Sequence, residues 1–124
     1  MALAARIQKS GLPPRRSKAP REGMSAKHLE FVRSLPCVVC GAPAEAHHLL
    51  DAGAGTRGMG MKAPDKYTVP LCHADHMALH AYGDETEWMS LRGIDARALS
   101  LRLWCVTGDH EQGVRAVERA RPIR

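Results

Sequence analysis

The chain has 124 residues, of which 44% are hydrophobic and 4% aromatic, and its formal net charge at pH 7 is +5. A chain of this length forms one domain with a modest core, and the low aromatic content leaves that core to Leu, Val, Ala and Met. No apolar run is long enough to cross a membrane, and the opening residues lack the apolar stretch of a secretory signal, so we expect a cytoplasmic protein without a membrane partner.

Positive charge is concentrated at the two ends of the chain. Residues 1–27 contain seven Lys or Arg against one Glu, and residues 113–124 contain four Arg against one Glu. Residues 1–23 also contain three prolines and cannot bury much apolar area, which predicts a disordered basic arm. We expect this arm to bind DNA phosphates, with Arg15 and Arg16 as candidate contacts; a solvated tail is the alternative.

Residues 24–124 are predicted to form an α+β domain. Its predicted elements are, in chain order, a helix 26–35, an extended segment 44–50, a glycine-containing loop 51–61, a strand 67–71, and helices 73–82, 96–107 and 110–120. Ser25 and Asp95 have suitable side chains for helix N-caps, and Gly83 is well placed as a C-terminal cap. We expect Cys105, alone in its helix, to be a small buried hydrophobe. His28 and His110 are expected to be ordinary core or surface side chains.

Three of the four cysteines indicate a structural zinc site. Cys37 and Cys40 have the Cys-x2-Cys spacing of a zinc knuckle, and Cys72 supplies a third thiolate. In a cytoplasmic protein this pattern is typical of metal binding rather than of a disulfide framework. Asp75 stands where a fourth ligand is expected, and His73 is the alternative. A bound metal would help to stabilise a core of this size.

Four histidines have the spacing of a second metal site. His76 and His80 are four residues apart in the predicted helix, so they share one helix face and can hold one ion. His47 and His48 are neighbours on an extended segment, and neighbouring side chains on a strand point to opposite faces. We therefore expect one of this pair to bind the ion while the other stays free to accept a proton. Three histidines with an open coordination position are typical of a catalytic ion.

A single zinc finger that uses Cys37, Cys40, His76 and His80 is the rival interpretation. Its 35 intervening residues between Cys40 and His76 far exceed the roughly 12 of a DNA-reading finger. It also leaves the His47-His48 pair without a role.

The segment from about residue 35 to 82 resembles the HNH endonucleases. The resemblance lies in CVVCG (37–41), EAHHLL (45–50), GMGMKAPDKYTVPLC (58–72) and HADHMALH (73–80), and it is closest to the phage and prophage branch that includes the recombination-enhancement nuclease. It implies a small ββα-metal finger with a structural zinc knuckle, surrounded by helices that include a C-terminal set over residues 84–120. It also implies metal-dependent DNA hydrolysis in phage or prophage recombination, with a recombinase filament as a partner.

Carried over by position, the resemblance implies a role for each histidine. His47 corresponds to the metal ligand on the first strand, His48 to the general base, and His76 with His80 to the helix ligands of a divalent ion, which is Mg²⁺, Mn²⁺, Ni²⁺ or Zn²⁺. The central Asn of the family has no counterpart here, and we expect Asp65 to orient the loop or the base in its place.

Three basic side chains around the glycine-containing loop, Arg57, Lys62 and Lys66, are candidate contacts to DNA phosphates. For each of these side chains, a solvated loop charge with no role in DNA binding is an equal alternative. The alternative function is a zinc-stabilised DNA-binding or accessory module without turnover, and such a module has no use for His48.

Overall fold

The computed structural model describes residues 23–50 and 64–122. The helices in these ranges are α1 (Ala26–Arg33), α2 (His73–Tyr82), α3 (Glu85–Leu91), α4 (Ala96–Cys105) and α5 (His110–Ala120), and the strands are β1 (Glu45–His48) and β2 (Thr68–Leu71). The described protein is therefore a mixed α and β structure, as expected. The predicted arm up to residue 22 and the predicted loop 51–61 lie outside the described residues.

The two strands form an antiparallel sheet at the centre of the described fold. His47 lies opposite Val69, and His48 lies opposite Thr68. All four residues of β2 are buried, with α1 and α4 packed against that strand, while α1 and α2 contact β1. Because alternate side chains of a strand point to opposite faces, Glu45 and His47 share one face of β1 and His48 lies on the other.

Helix boundaries follow the capping residues that the sequence offers. The Ser25 hydroxyl accepts the backbone N–H of His28 at 3.1 Å, and Asp95 accepts that of Ala98 at 3.0 Å. Helix α1 ends at Arg33, two residues before the predicted end, and α4 ends two residues early at Cys105. None of the helices in the described ranges has both the length and the apolar character that a membrane crossing requires.

The prediction that Cys105 is buried is wrong. The buried residues of α4 are Leu99, Ser100 and Leu103, which define the face that packs on the core. Cys105 follows Leu103 by two positions, which places it about 200° away around the helix axis. Its thiol is accordingly exposed.

His28 is a core side chain, one of the two alternatives expected for it. It is fully buried, and its Nδ1 lies 2.7 Å from the hydroxyl of Thr107. Burial lowers the pKa of this imidazole, because the charged form loses hydration, although Asp65 acts in the opposite direction. His110 is exposed.

Helix α5 approaches α1 at a glycine. A Cβ added to Gly113 would lie 2.7 Å from Cζ of Phe31 and 2.9 Å from Cδ2 of Leu35, closer than packed carbon atoms allow. The missing side chain is what lets the two helices come this near.

We therefore predict that Gly113→Ala destabilises the protein, although alanine is the better helix former by about 1 kcal/mol. Overpacking typically costs about 1–3 kcal/mol, and an overlap at 2.7 Å belongs in the upper part of that range, so after the helix-propensity gain the free energy of unfolding should fall by about 1–2 kcal/mol. Thermal or urea unfolding measures the change, with the exposed Glu118→Ala in the same helix as the control. An unchanged or increased stability of Gly113→Ala would contradict this packing.

Candidate functional site

Residues 37–41 form a tight turn that carries two thiols. The backbone N–H of Gly41 donates to the carbonyl of Cys37 at 2.9 Å, and Gly41 has a φ of +83°, a conformation that glycine adopts without strain. The backbone N–H of Cys37 donates to the carbonyl of Ala42 at 2.8 Å, which closes the base of the turn. The turn therefore has the form expected of a zinc knuckle.

The start of α2 brings the other two side chains to this turn. Cys72 is the N-cap of α2, and its Sγ accepts the backbone N–H of Asp75 at 3.4 Å. Oδ2 of Asp75 lies 3.4 Å from Sγ of Cys37 and 3.2 Å from Sγ of Cys72, while the sulfurs of Cys40 and Cys72 are 3.7 Å apart. His73 stands outside this group, since its Nδ1 lies 3.0 Å from Oε2 of Glu45.

These distances are those of ligands around one metal ion. Two sulfurs bound at about 2.3 Å to a tetrahedral zinc are about 3.8 Å apart, whereas a disulfide has a bond of about 2.05 Å. The ligand atoms of Cys37, Cys40, Cys72 and Asp75 all lie within 4.8 Å of one another. The four side chains can therefore bind a metal such as zinc.

The electrostatics of the cluster favour a cation. Burial raises the pKa of the Cys37 thiol, and burial together with the Asp75 and Cys40 side chains raises the pKa of Cys72 to about 12. Backbone N–H groups act in the opposite direction, and that of Val39 donates to Sγ of Cys37 at 3.3 Å. Thiolates packed this closely need a compensating positive charge, which a divalent ion supplies as it displaces the thiol protons.

A second cluster consists of three histidines from β1 and α2. The ring centroids of His47 and His76 are 4.9 Å apart, those of His76 and His80 are 4.8 Å apart, and those of His47 and His80 are 5.8 Å apart. One ring nitrogen of each lies within 4.8 Å of the others. His47 is buried and His80 is exposed, so the cluster is open to solvent on one side. This donor set fits a transition-metal ion with a free coordination position.

Two glutamates that the sequence analysis did not identify hold the histidine rings. Nε2 of His47 lies 2.8 Å from Oε1 of the buried Glu85, and Nδ1 of His76 lies 2.7 Å from Oε1 of Glu45. A carboxylate that accepts the N–H of one ring nitrogen leaves the other nitrogen with the lone pair that a metal requires. Hydrogen bonds from His76 and His73 lower the pKa of Glu45, which keeps that carboxylate ionised.

The sequence contains a local pattern that could have identified one of these glutamates, Glu45. Glu45 precedes His47 by two residues on the same strand, so the alternation of β1 already places both on one face. Glu85 is the first residue of α3, and it reaches His47 only through the tertiary packing of that helix. Its second oxygen accepts the backbone N–H of Leu50 at 2.9 Å, which ties α3 to the end of β1.

His48 lies on the opposite face of β1 and is held by Asp65. Nε2 of His48 is 2.9 Å from Oδ1 of Asp65, and the backbone N–H of Ser25 donates to Oδ2 at 2.9 Å. The carbonyl of Asp65 accepts the hydroxyl of Thr68, the residue opposite His48 in the sheet. The His48 side chain remains 36% exposed, so water can reach it.

The candidate DNA contacts are only partly covered by the structure. Lys66 is half-buried, its backbone N–H donates to the carbonyl of Gly23 at 2.8 Å, and its ammonium lies 5.5 Å from the centroid of the Tyr67 ring. The other four candidates, Arg15, Arg16, Arg57 and Lys62, lie outside the described residues.

A family model described as "Protein of unknown function (DUF968)" matches residues 14–102. The chain belongs to this family. The uncharacterized protein YdfU of Escherichia coli (strain K12) is 39% identical over 90 residues, which cover 65% of this chain and 25% of YdfU, so the chain spans about a quarter of that relative. No solved structure matches. The DUF968 match includes every residue of both clusters, together with His48 and Asp65.

The two clusters should respond differently to substitution. Cys40→Ser should lose bound zinc and lower the free energy of unfolding by about 3 kcal/mol or more, because structural zinc contributes on the order of 10 kcal/mol to folding. His80→Ala removes an exposed side chain and should change stability by less than about 0.5 kcal/mol.

Metal analysis and calorimetry of the two variants measure both effects. One zinc per chain, lost equally from both variants with the same loss of stability, would support the single zinc finger instead of two separate sites.

Proposed function

We propose that this DUF968 protein is a metal-dependent endonuclease that hydrolyses DNA phosphodiester bonds with a ββα-metal site of the HNH type. The observation that carries the proposal is the combination of the His47, His76 and His80 cluster with His48, which is held by Asp65 on the other face of the same strand. The order of two antiparallel strands followed by a helix with two histidines supports it as well. DNA is then the substrate, and a recombinase filament is the partner that the sequence resemblance suggests.

His48 takes the role of general base in this proposal. When Asp65 accepts the N–H of Nε2, the other ring nitrogen, Nδ1, keeps a lone pair. That nitrogen removes a proton from a water molecule as the water oxygen forms a bond to phosphorus. The opposite bond, from phosphorus to the 3′ oxygen, breaks, and the 3′ oxygen takes up a proton from solvent. The Asp65 carboxylate stabilises the imidazolium that results, as a buried carboxylate does in other His–Asp pairs.

His47, His76 and His80 would hold a divalent ion, and such an ion would supply positive charge to phosphate oxygens whose negative charge grows in the transition state. Three imidazoles suit zinc, nickel or another transition metal better than magnesium, which prefers oxygen ligands. Glu85 and Glu45 orient two of the rings, so that the ligand nitrogens point at one place before an ion binds.

Substituting the base gives the most direct test. We expect His48→Ala to cleave supercoiled DNA about 10²–10⁴-fold more slowly than the wild type, because a general base contributes that much to the rate. Zinc content, melting temperature and DNA affinity should stay close to wild type. The nicking assay is run in Mg²⁺, Mn²⁺, Ni²⁺ and Zn²⁺ in turn, with the exposed His110→Ala as the matched control.

Wild-type nicking by His48→Ala would remove this residue from the mechanism. A protein that binds DNA but cleaves with none of the four ions would instead favour the non-catalytic DNA-binding module.

Asp65 is a positioning residue in this proposal, because it acts through His48. Asp65→Asn should lower kcat by about 10- to 100-fold and leave KM nearly unchanged, since the amide can donate to Nε2 and shift the lone pair away from Nδ1.

In a His48→Ala background the same substitution should have no further effect on cleavage, because its target is already absent. An equal loss in both backgrounds, with a lowered melting temperature, would mean that Asp65 serves only to anchor the backbone N–H of Ser25.

A further inference from the structure

A groove lined by arginines lies between α4 and α5, outside both metal clusters. It encloses about 650 Å³ and is formed by the end of α3, one face of α4 and the end of α5. Its charged lining consists of Arg92, Arg102, Arg119, Arg121 and a single acid, Asp95. The carboxylate of Asp95 is engaged as the N-cap of α4, where it accepts the N–H of Ala98.

Among the described residues, no carboxylate forms an ion pair with the arginines of this groove. Within the ranges 23–50 and 64–122, the ion pairs involve other residues, and the one arginine among them is Arg115 with Glu111. Arg102 and Arg119 are exposed and extend from the last turns of α4 and α5. Four arginines that line one groove, without a carboxylate partner among the described residues, are suited to bind an anionic ligand.

Two of the arginines are held in place by the fold. The guanidinium of Arg92 lies 3.6 Å from the centroid of the Trp88 ring and donates to the Trp88 carbonyl at 3.0 Å. The guanidinium of Arg121 packs against Gly41 of the zinc knuckle, 3.4 Å from the position of a Cβ there. Nε of Arg121 is buried without a hydrogen-bond partner among the described residues. Side chains fixed in this way lose little further freedom when a ligand binds.

The groove continues toward the histidine cluster. Gly93 and Asp95 line both this groove and a neighbouring cavity of about 490 Å³. Leu49 and Glu85 also line that cavity, and Glu85 is the carboxylate that holds His47. A polymer bound along the arginines can therefore extend over the surface to the edge of the site proposed for cleavage.

We infer that the groove between α4 and α5 binds the sugar-phosphate backbone of DNA on one side of the cleavage point. This inference rests on the proposed function, because only a nuclease has a cleavage point beside which the groove can lie. The binding of DNA to the groove does not itself require turnover. Guanidinium groups contact phosphate oxygens in pairs and read no base, so the groove gives affinity and orientation without sequence preference. The four arginines are spread over the ends of three helices, so a polyanion such as the DNA backbone can contact them together.

The test compares two double variants of the full chain with the same net charge. R102Q/R119Q removes the two exposed arginines of the groove, and R33Q/R115Q removes two exposed arginines of α1 and α5 that do not line it. Arg33, like Arg102 and Arg119, lies in the last turn of its helix, so effects on helix stability are partly matched. Binding of a fluorescent duplex of arbitrary sequence is measured by anisotropy over a range of salt concentrations, without an added divalent ion.

We expect R102Q/R119Q to weaken binding about 10-fold or more and to flatten the slope of log Kd against log salt by about 1.8, the value for two lost phosphate contacts. The control should shift both quantities much less, and both variants should melt near the wild-type temperature. Equal losses in the two variants would mean that only the overall charge acts, which overturns the inference.

If the R102Q/R119Q variant binds duplex as well as the control but loses binding to poly-L-glutamate, the groove takes an acidic protein segment and the DNA assignment is wrong. Cleavage is scored separately. A protein that binds DNA through the groove and never cleaves would refute the proposed function alone, whereas a cleaving protein with a dispensable groove would refute the inference alone.

Discussion

The convergence of Cys37, Cys40, Cys72 and Asp75 is the constraint on which the rest of the described fold depends. Two of these side chains come from a turn before β1, one ends the segment after β2, and one lies in the first turn of α2. Together they fix where α2 begins and how it is rotated about its axis. In a chain with so few aromatic side chains, an ion bound by this cluster would contribute part of the stability that a larger apolar core supplies elsewhere.

Pairing with carboxylates divides the histidines into two groups. Glu85 and Glu45 engage rings on one face of the sheet, where nitrogens converge within reach of a single ion. Asp65 engages His48, the neighbour of His47, whose side chain lies on the other face of the same strand. In the proposed mechanism, the alternation of β1 therefore directs the proton acceptor away from the three candidate metal ligands, so that it does not become a ligand itself.

Local spacing allowed much of this arrangement to be predicted from the sequence. The bounds of α2 and the Cys-x2-Cys and His-x3-His spacings are short-range patterns, whereas the place of Asp65 beside His48 was expected only from the resemblance to the HNH endonucleases. Glu85 could not be found in this way, because it depends on the packing of α3, a seven-residue helix with no clear apolar stripe. Residue type alone predicts a buried Cys105, whereas its angle from the Leu99 and Leu103 face of α4 leaves the thiol exposed.

Helix α2 contributes residues to both candidate metal clusters at neighbouring positions. Asp75 and His76 are adjacent, yet they belong to different clusters that lie against different parts of the protein. A residue inserted between them would turn everything downstream by about 100° and move it by about 1.5 Å along the axis. His76 and His80 would then face away from His47 while the cysteine cluster stayed intact. An insertion or deletion within α2 should therefore disrupt the histidine cluster far more than a substitution on the exposed face of that helix does.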